Sequence, residues 1–485
     1  MSTISAKARG RPRFAIMLFP ISMVMEYSAS SRVAEHSAGR GRVRQWHRFV
    51  SRLLARDLST FTRYYDRVIQ WLPRPEDSGD LIDGIETKAK GVIRAGDPFP
   101  SLIAEETRRT AVLLNGTLNH HYDVQGLLTG LKEKLSRSSR VLLVLYNPYF
   151  RWAYRLANRL HLRDGEIPTT FLRRVDLENM AKLSGFEIIQ EKPQIYCPFP
   201  LLGIGTLINR ILPLIPLLRW LSFTYVSIWR PIIAKPATGI SCIIPARNER
   251  GNIEAALQRF PQLNCKVEII FVEGHSSDGT WEEIQRVAGA YRDRFDIKTF
   301  QQTGKGKGDA VRLGFQNASQ PLLTILDADL TMPPEMLGRF YDAYCRGLGD
   351  FINGSRLVYP MEGEAMRPLN RLGNIFFAKA LSFVLNTRLG DALCGTKLLT
   401  SHDYGRIKQW RQDFGDFDPF GDFELLFPAS VLGLGIVDVP VRYLARTYGS
   451  TNIQRFRHGF QLLRMSLIGF TRIKMAFHAR SKSGN

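Results

Sequence analysis

The chain has 485 residues, 44% of them hydrophobic, with 66 Lys and Arg against 45 Asp and Glu, a formal charge of +21. That length exceeds what one core usually fills, so two domains with connectors are expected; the charge calls for an anionic partner, whether nucleic acid, an acidic membrane surface or phosphorylated substrates. Zinc-finger, RNP and helix-turn-helix patterns are missing, which argues against nucleic acid, and Cys197, Cys242, Cys265, Cys345 and Cys394 form no CxxC, which fits a reducing compartment without structural zinc.

In chain order, the basic AKARGRPR is followed by the apolar FAIMLFPISMVM from Phe14 to Met25. This has the outline of a signal segment, but it is too short to span a bilayer and contains Pro20. Ser31 to Arg56 is basic and weakly patterned, a surface helix with a flexible approach. From Ala111 a strand leads through a turn into a helix, Val141 to Tyr146 is a second strand, and Leu177 to Gln190 is a helix, a Gly turn and a strand. Leu201 to Ala234 is apolar, broken by Arg210, Arg219, Arg230, Pro213 and Pro216. It reads either as helices lying on a bilayer or as buried helices bridging two domains.

The order of elements over residues 61–190 resembles the later half of class I S-adenosylmethionine-dependent methyltransferases. The departures are specific. PRPEDSGDLIDGI from Pro73 stands where that family has a glycine-rich loop, Arg94 stands near its ribose-binding acid, and one strand is missing. Arg94 cannot accept a hydrogen bond from a hydroxyl. The resemblance therefore implies a degenerate Rossmann-like domain that no longer binds the cofactor.

Beyond Thr238 strands alternate with helices: GISCIIP from Gly239, KVEIIFVE from Lys266, a strand before TGKGKG at Thr303, and LLTIL from Leu322. Such alternation argues for a mostly parallel, nucleotide-binding α/β sheet. The last strand runs into Asp327 and Asp329, two carboxylates on one face of an extended segment. Oxygen ligands of this kind suit Mg²⁺ or Mn²⁺ holding a pyrophosphate; the bland alternative is a strand leading into an Asp-capped helix with Pro333 and Pro334 in its first turn.

The ordered motifs IPARNE at Ile244, VEGHSSDGT at Val272, GKGKGDA at Gly304, LDADLTMPPE at Leu326, NGSRL at Asn353, GDALCGTKLL at Gly390 and VPVRYLARTYGSTNI at Val439 resemble family 2 glycosyltransferases of the GT-A fold, most closely the dolichyl- or polyprenyl-phosphate sugar transferases. The resemblance covers about residues 239–455. It implies a donor site, for a GDP- or UDP-linked sugar, made by Pro245, Asn248, Glu249, Glu273, Asp278, Lys305, Lys307 and Asp327, with Asp327 and Asp329 as metal ligands. Glu273 stands where the family usually has Asp, and Gly274 replaces a second acid. Arg356 and Arg446 match arginines that look toward phosphates, and Arg371 is a third candidate. Asp391, Asp422 and Glu424 are candidate bases, although the GDFELL acids fit a helix start equally well.

A lipid phosphate is already ionised near neutral pH and needs no base, unlike a sugar hydroxyl. The implied activity is inverting, metal-dependent transfer to a polyprenyl phosphate at the cytoplasmic face of a membrane, with no nucleic-acid partner. Two alternatives stand beside it: transfer to a glycan or glycolipid hydroxyl, and a membrane-bound scaffold whose two domains are inactive. Phe456, Phe460, Leu463, Leu467 and Phe470 recur on one helical face beside basic residues, a stripe that suits either an anionic headgroup layer or the catalytic core. The expected units are a basic region 1–60, a methyltransferase-like domain 61–190, a connector 191–237, the glycosyltransferase domain 238–455 and an amphipathic tail 456–485.

Overall fold

The computed structural model of the chain describes residues 37–160, 163, 166–360, 368–415, 418, 421–449 and 455–475; the apolar stretch 14–25 lies outside the described residues. Two mostly parallel sheets organise the molecule. The first is built from β1 (Arg67–Trp71), β2 (Lys90–Ile93), β3 (Thr110–Asn115), β4 (Arg140–Tyr146), β5 (Phe186–Gln194) and β6 (Thr224–Pro231), in the order β2-β1-β3-β4-β6-β5. All pairings are parallel except those of β6, which runs against both β4 and β5. The apolar runs of β3 and β4 are buried on both faces, as parallel strands covered by helices must be. Leu54, Leu58 and Phe61 of the helix Ser37–Thr62 pack on one face, and Leu128 and Leu131 of the helix Val124–Lys132 on the other.

Two expectations change here. The helix Ser37–Thr62 is no mere surface helix, since its inward residues join the first core. Residues 224–231, expected within a helical connector, are β6. The run TYVSIWRP is rich in β-branched and aromatic residues, and a strand on either side satisfies its backbone groups.

The second sheet consists of β7 (Ile240–Ala246), β8 (Val267–Glu273), β9 (Asp296–Gln301), β10 (Leu322–Ile325), β11 (Phe351–Ser355), β12 (Lys397–Thr400) and β13 (Ile436–Pro440), ordered β13-β11-β12-β10-β7-β8-β9. Only β12 is reversed among them. The strand expected before the paired aspartates is β10, with all four residues buried. At the end of the chain, in the helix Arg455–Gly469 and just after it, the expected stripe divides: Phe470 packs against the second core, as does Met465 from outside the stripe, whereas Phe460, Leu463 and Leu467 are exposed. No helix among the described residues is long and apolar enough to cross a membrane.

The two sheets meet through arginines. Asp350, just before β11, is buried and faces Arg137 (3.2 Å), Arg140 (2.6 Å) and Arg230 (3.6 Å) from the first domain. The same guanidinium groups donate to backbone carbonyls of the second domain, Arg140 to Gly433 (2.6 Å), Arg137 to Gly349 (2.6 Å) and Arg230 to Gly347 (2.9 Å). Burial alone would raise the Asp350 carboxyl, but Arg140, Arg230 and Arg137 overcome it and hold the group well below the usual carboxylate range. A depressed folded-state pKa gives stability that is present above the unfolded value of about 4 and is lost as pH falls through the folded value. Asp350→Asn leaves the buried Arg137 and Arg140 without their anion, while Arg230 keeps Glu187, and is expected to cost about 3–5 kcal/mol. Chemical denaturation at neutral pH should show that loss, and the variant's stability should fall less than that of the parent chain on acidification.

Candidate active site

β7 and β10 lie side by side in parallel, Ile243 opposite Ile325, so their outgoing loops start at one level. At the carboxyl ends of such strands an open sheet presents its ligand site. The first loop supplies Glu249 and the second supplies Asp327 and Asp329. Arg446 reaches both loops from the segment after β13, donating Nη1 to Glu249 Oε1 (2.6 Å) and Nη2 to Asp329 Oδ2 (2.8 Å). The other Asp329 oxygen accepts from the Thr331 N–H (3.1 Å) and hydroxyl (2.9 Å), a tight turn closed by the aspartate itself. The segment carrying Arg446 is fastened on the way, Val441 N–H to Ser355 O (2.9 Å) and Leu444 N–H to Thr331 O (2.8 Å). It is a strap across three strand ends. Burial holds the Glu249 carboxyl above its ordinary value against the pull of Arg446.

Asp327 pairs with Lys307 at 2.5 Å. Burial would lower the Lys307 ammonium, but Asp327, Asp422 and Asp329 outweigh it and hold the group above its ordinary value, so it is a cation at neutral pH. This contact depends on a residue the motif reading passed over. A Cβ on Gly395 would lie 2.1 Å from Lys307 Nζ and 2.3 Å from Asp327 Oδ2, so the pair can sit where it does only while no side chain projects there. Lys397, two residues on, is fully buried in β12 and pairs with Asp422 at 2.7 Å. A lysine inside the apolar run GTKLLT was the available signal, because a buried ammonium requires a carboxylate.

The other sequence candidates fall into three groups. Beside the cluster, Pro245 is half-buried in β7 opposite Val272, and Asn248 adopts a left-handed conformation (φ 55°), its side-chain oxygen accepting from Ser277 N–H at 2.9 Å. Glu273 is buried and accepts from Ser276 N–H (2.5 Å), while Asp278 accepts from Thr280 N–H (3.1 Å), Arg250 N–H (3.3 Å) and the Tyr448 hydroxyl (3.3 Å). Asp278 therefore organises the start of the helix Thr280–Ala290 as well as facing the strap. In a second group, Arg356 and Asp391 form a closed two-bond pair (2.7 and 2.9 Å), with Asp391 fully buried and Arg356 over the Tyr443 ring. Glu424 is likewise taken, by Arg312 (2.8 Å) and Arg411 (2.7 Å). Lys305 and Arg371 form the third group and stand exposed.

Among the described residues no three or more His, Cys, Asp or Glu side chains are gathered as a metal cage. Asp327 and Asp329 together are nevertheless a suitable donor set for Mg²⁺ or Mn²⁺, which takes one or two carboxylates and completes its shell from phosphate oxygens and water. Asp327 binds Lys307 through Oδ1, and its Oδ2 lies toward Gly395.

Residues 241–404 match the family described as Glycosyl transferase family 2. The dolichyl-phosphate hexose transferase of Haloferax volcanii is 28% identical over 221 residues, 45% of this chain and 89% of the relative. The dolichol-phosphate mannosyltransferase of Pyrococcus furiosus is 36% identical over 122 residues, which is 24% of this chain and only 33% of the relative. A mannosyltransferase from Pyrobaculum calidifontis, solved with GDP-Man and Mn²⁺, is 16% identical with a TM-score of 0.34, covering 51% of this chain and 68% of its own; that likeness is too slight to bear on function.

Gly395→Ala is expected to push Lys307 off Asp327, since the new methyl occupies the ammonium's place. Loss of one charged contact of this kind corresponds to about tenfold weaker nucleotide binding. Titration of the variant with UDP and GDP checks this, with the thermal midpoint as the control for folding.

Proposed function

We propose that the chain is a family 2 hexosyltransferase that moves a hexose from a GDP- or UDP-linked donor to the phosphate of a polyprenyl lipid, with inversion, from a GT-A domain spanning about residues 238–455. The observation that carries the acceptor class is the state of the three candidate bases. Asp391 is committed to Arg356, Asp422 to Lys397 and Glu424 to Arg312 and Arg411. A hydroxyl acceptor needs a free base, whereas a phosphate monoester arrives ionised. Similarity to a dolichyl-phosphate hexose transferase and to an undecaprenyl-phosphate 4-deoxy-4-formamido-L-arabinose transferase supports the same class.

In the proposed reaction a phosphate oxygen of the acceptor attacks the anomeric carbon while the bond from that carbon to the donor's diphosphate oxygen breaks. The electron pair leaves with the nucleoside diphosphate and no proton changes hands. Lys307 and Arg446 stand at the carboxylate pair, where their charges offset that developing on the leaving diphosphate. Glu249 and Asp278 orient the nucleoside from the β7 and β8 loops. Asp327 and Asp329 would hold Mg²⁺ or Mn²⁺, which supplies Lewis-acid stabilisation of the diphosphate.

For the first domain, the sheet order with β6 reversed supports a methyltransferase-type scaffold. In place of a glycine-rich loop, Asp77 accepts from Gln70 (2.7 Å) and Asn115 (2.7 Å), and Arg74 lies 5.9 Å from the centre of the Tyr146 ring. Side chains filling that loop support a domain without cofactor. The outward stripe Phe460, Leu463 and Leu467, with Leu372 and Phe376 likewise exposed on the helix Pro368–Leu385 that packs beside it, supports peripheral attachment to an anionic cytoplasmic membrane surface.

Incubation of purified chain with a panel of nucleotide sugars and a polyprenyl phosphate should give lipid-linked sugar in Mg²⁺ or Mn²⁺ and none in EDTA. Asp327→Asn should abolish transfer with folding intact; full activity in chelator would sink the metal role. Phe460→Glu with Leu467→Glu should reduce transfer to a long-chain acceptor by about tenfold and spare a short soluble one. Equal loss on both acceptors would assign that helix to the catalytic core alone.

A further inference from the structure

The first sheet sends two chain segments out of one edge. Tyr146, the last residue of β4, pairs with Thr224, the first residue of β6, and Thr224 also pairs with Gln194 at the end of β5. The segment after β4 and the segment between β5 and β6 therefore leave the sheet at the same level. They are also joined: Asn147 Nδ2 donates to Trp220 O (2.9 Å) and Ser222 O (2.6 Å), and the Phe150 and Phe223 rings lie 4.7 Å apart.

What they present to solvent is apolar. The helix Arg151–Arg159 turns Tyr154 inward and leaves Trp152 and Leu156, one turn apart, exposed. Residues 201–220 form short helical pieces broken at the left-handed Leu202 and Gly203 and around Pro213 and Pro216, with Leu207, Trp220, Leu202 (106%) and Leu217 (83%) outward. Isolated surface leucines are ordinary, but a concentration of exposed apolar residues on two segments tied to each other at their roots marks an interaction surface. Its charge is of one sign. Arg151, Arg155, Arg159 and Arg210 are exposed among these residues, and no Asp or Glu occurs between Glu133 and Asp164 or between Glu191 and Glu249. Short amphipathic helices carrying arginine and no acid suit a plane of anionic headgroups over an apolar layer.

We propose that this edge of the amino-terminal domain docks on an anionic lipid bilayer, its leucines and tryptophans entering the acyl boundary and its arginines resting on lipid phosphates. The domain is then a membrane-attachment module in its own right, separate from the stripe on the helix Arg455–Gly469. The inference does not depend on the sugar-transfer reading, because binding is measured without donor or acceptor.

The test is co-sedimentation of the full chain with vesicles of phosphatidylcholine alone or mixed with phosphatidylglycerol. The parent chain should bind the mixed vesicles more tightly, and salt should weaken that binding only in part. Trp152→Glu with Leu217→Glu should lower the affinity for mixed vesicles by at least about tenfold with the thermal midpoint unchanged. Arg155→Gln with Arg210→Gln, which touches no apolar packing, should lower it by about tenfold on mixed vesicles and leave phosphatidylcholine unaffected. Unchanged binding in both pairs overturns the proposal. So does a parent chain that is dimeric in solution and becomes monomeric with Trp152→Glu and Leu217→Glu, since a second copy would then be the occupant.

Discussion

A single buried carboxylate, Asp350, sets how the two halves of the molecule sit. It precedes β11, and the guanidinium groups around it come from just before β4, the start of β4 and the end of the reversed β6. The interface therefore lies at the amino ends of the parallel strands in both sheets. Removing four charged groups from water is costly, and the cost is met only because each also bonds to backbone: Gly435 N–H donates to Asp350 (3.0 Å), and the arginines donate to the carbonyls opposite them. Joining the sheets at these ends leaves both carboxyl edges outside the interface. One edge carries the carboxylate and arginine cluster, the other the apolar arginine-rich surface.

Much of this was readable in the sequence. Strands buried on both faces appear as short apolar runs, so β7, β8 and β10 were found where expected, with the aspartate pair immediately after β10. Motif order also located the loops that meet at the site. The partners of those residues were not readable, because pairing is a property of the fold. Arg446 and Glu249 lie 197 residues apart, and Arg356 and Asp391, taken separately as a phosphate ligand and a base, hold each other. Strand β6 was missed because its arginine and its proline neighbours look like breaks in a membrane-facing stretch. The arginine, Arg230, is an interface residue, and only the fold brings Glu187 and Asp350 to it and so gives it a place indoors.

The charges at the site are balanced by position. Three carboxylates, Glu249, Asp327 and Asp329, are held by two cations, Arg446 and Lys307. Unpaired, they would repel one another across a partly buried space where water screens poorly. The strap is thus part of the electrostatics of the site as well as its cover, since the residue that closes over Glu249 also neutralises Asp329. Gly395 belongs to the same balance from below, by letting the β12 loop approach the Lys307–Asp327 pair without a side chain between them.

The domain interface reads main chain more than side chains, and this decides how it can change over time. Arg109, Arg137, Arg140 and Arg230 address the carbonyls of Leu432, Gly349, Gly433 and Gly347, so beyond the acids Asp403 and Asp350 these contacts ask little of the side chains opposite. What cannot drift is the space. A Cβ on Gly435 would lie 2.1 Å from Arg230 Nε, so the smallest possible mutation at that position evicts a guanidinium group. In a lineage of such proteins the inherited signature of the joint would be two acids, Asp350 and Asp403, and a pattern of missing side chains, legible as glycines on one side and as arginines on the other.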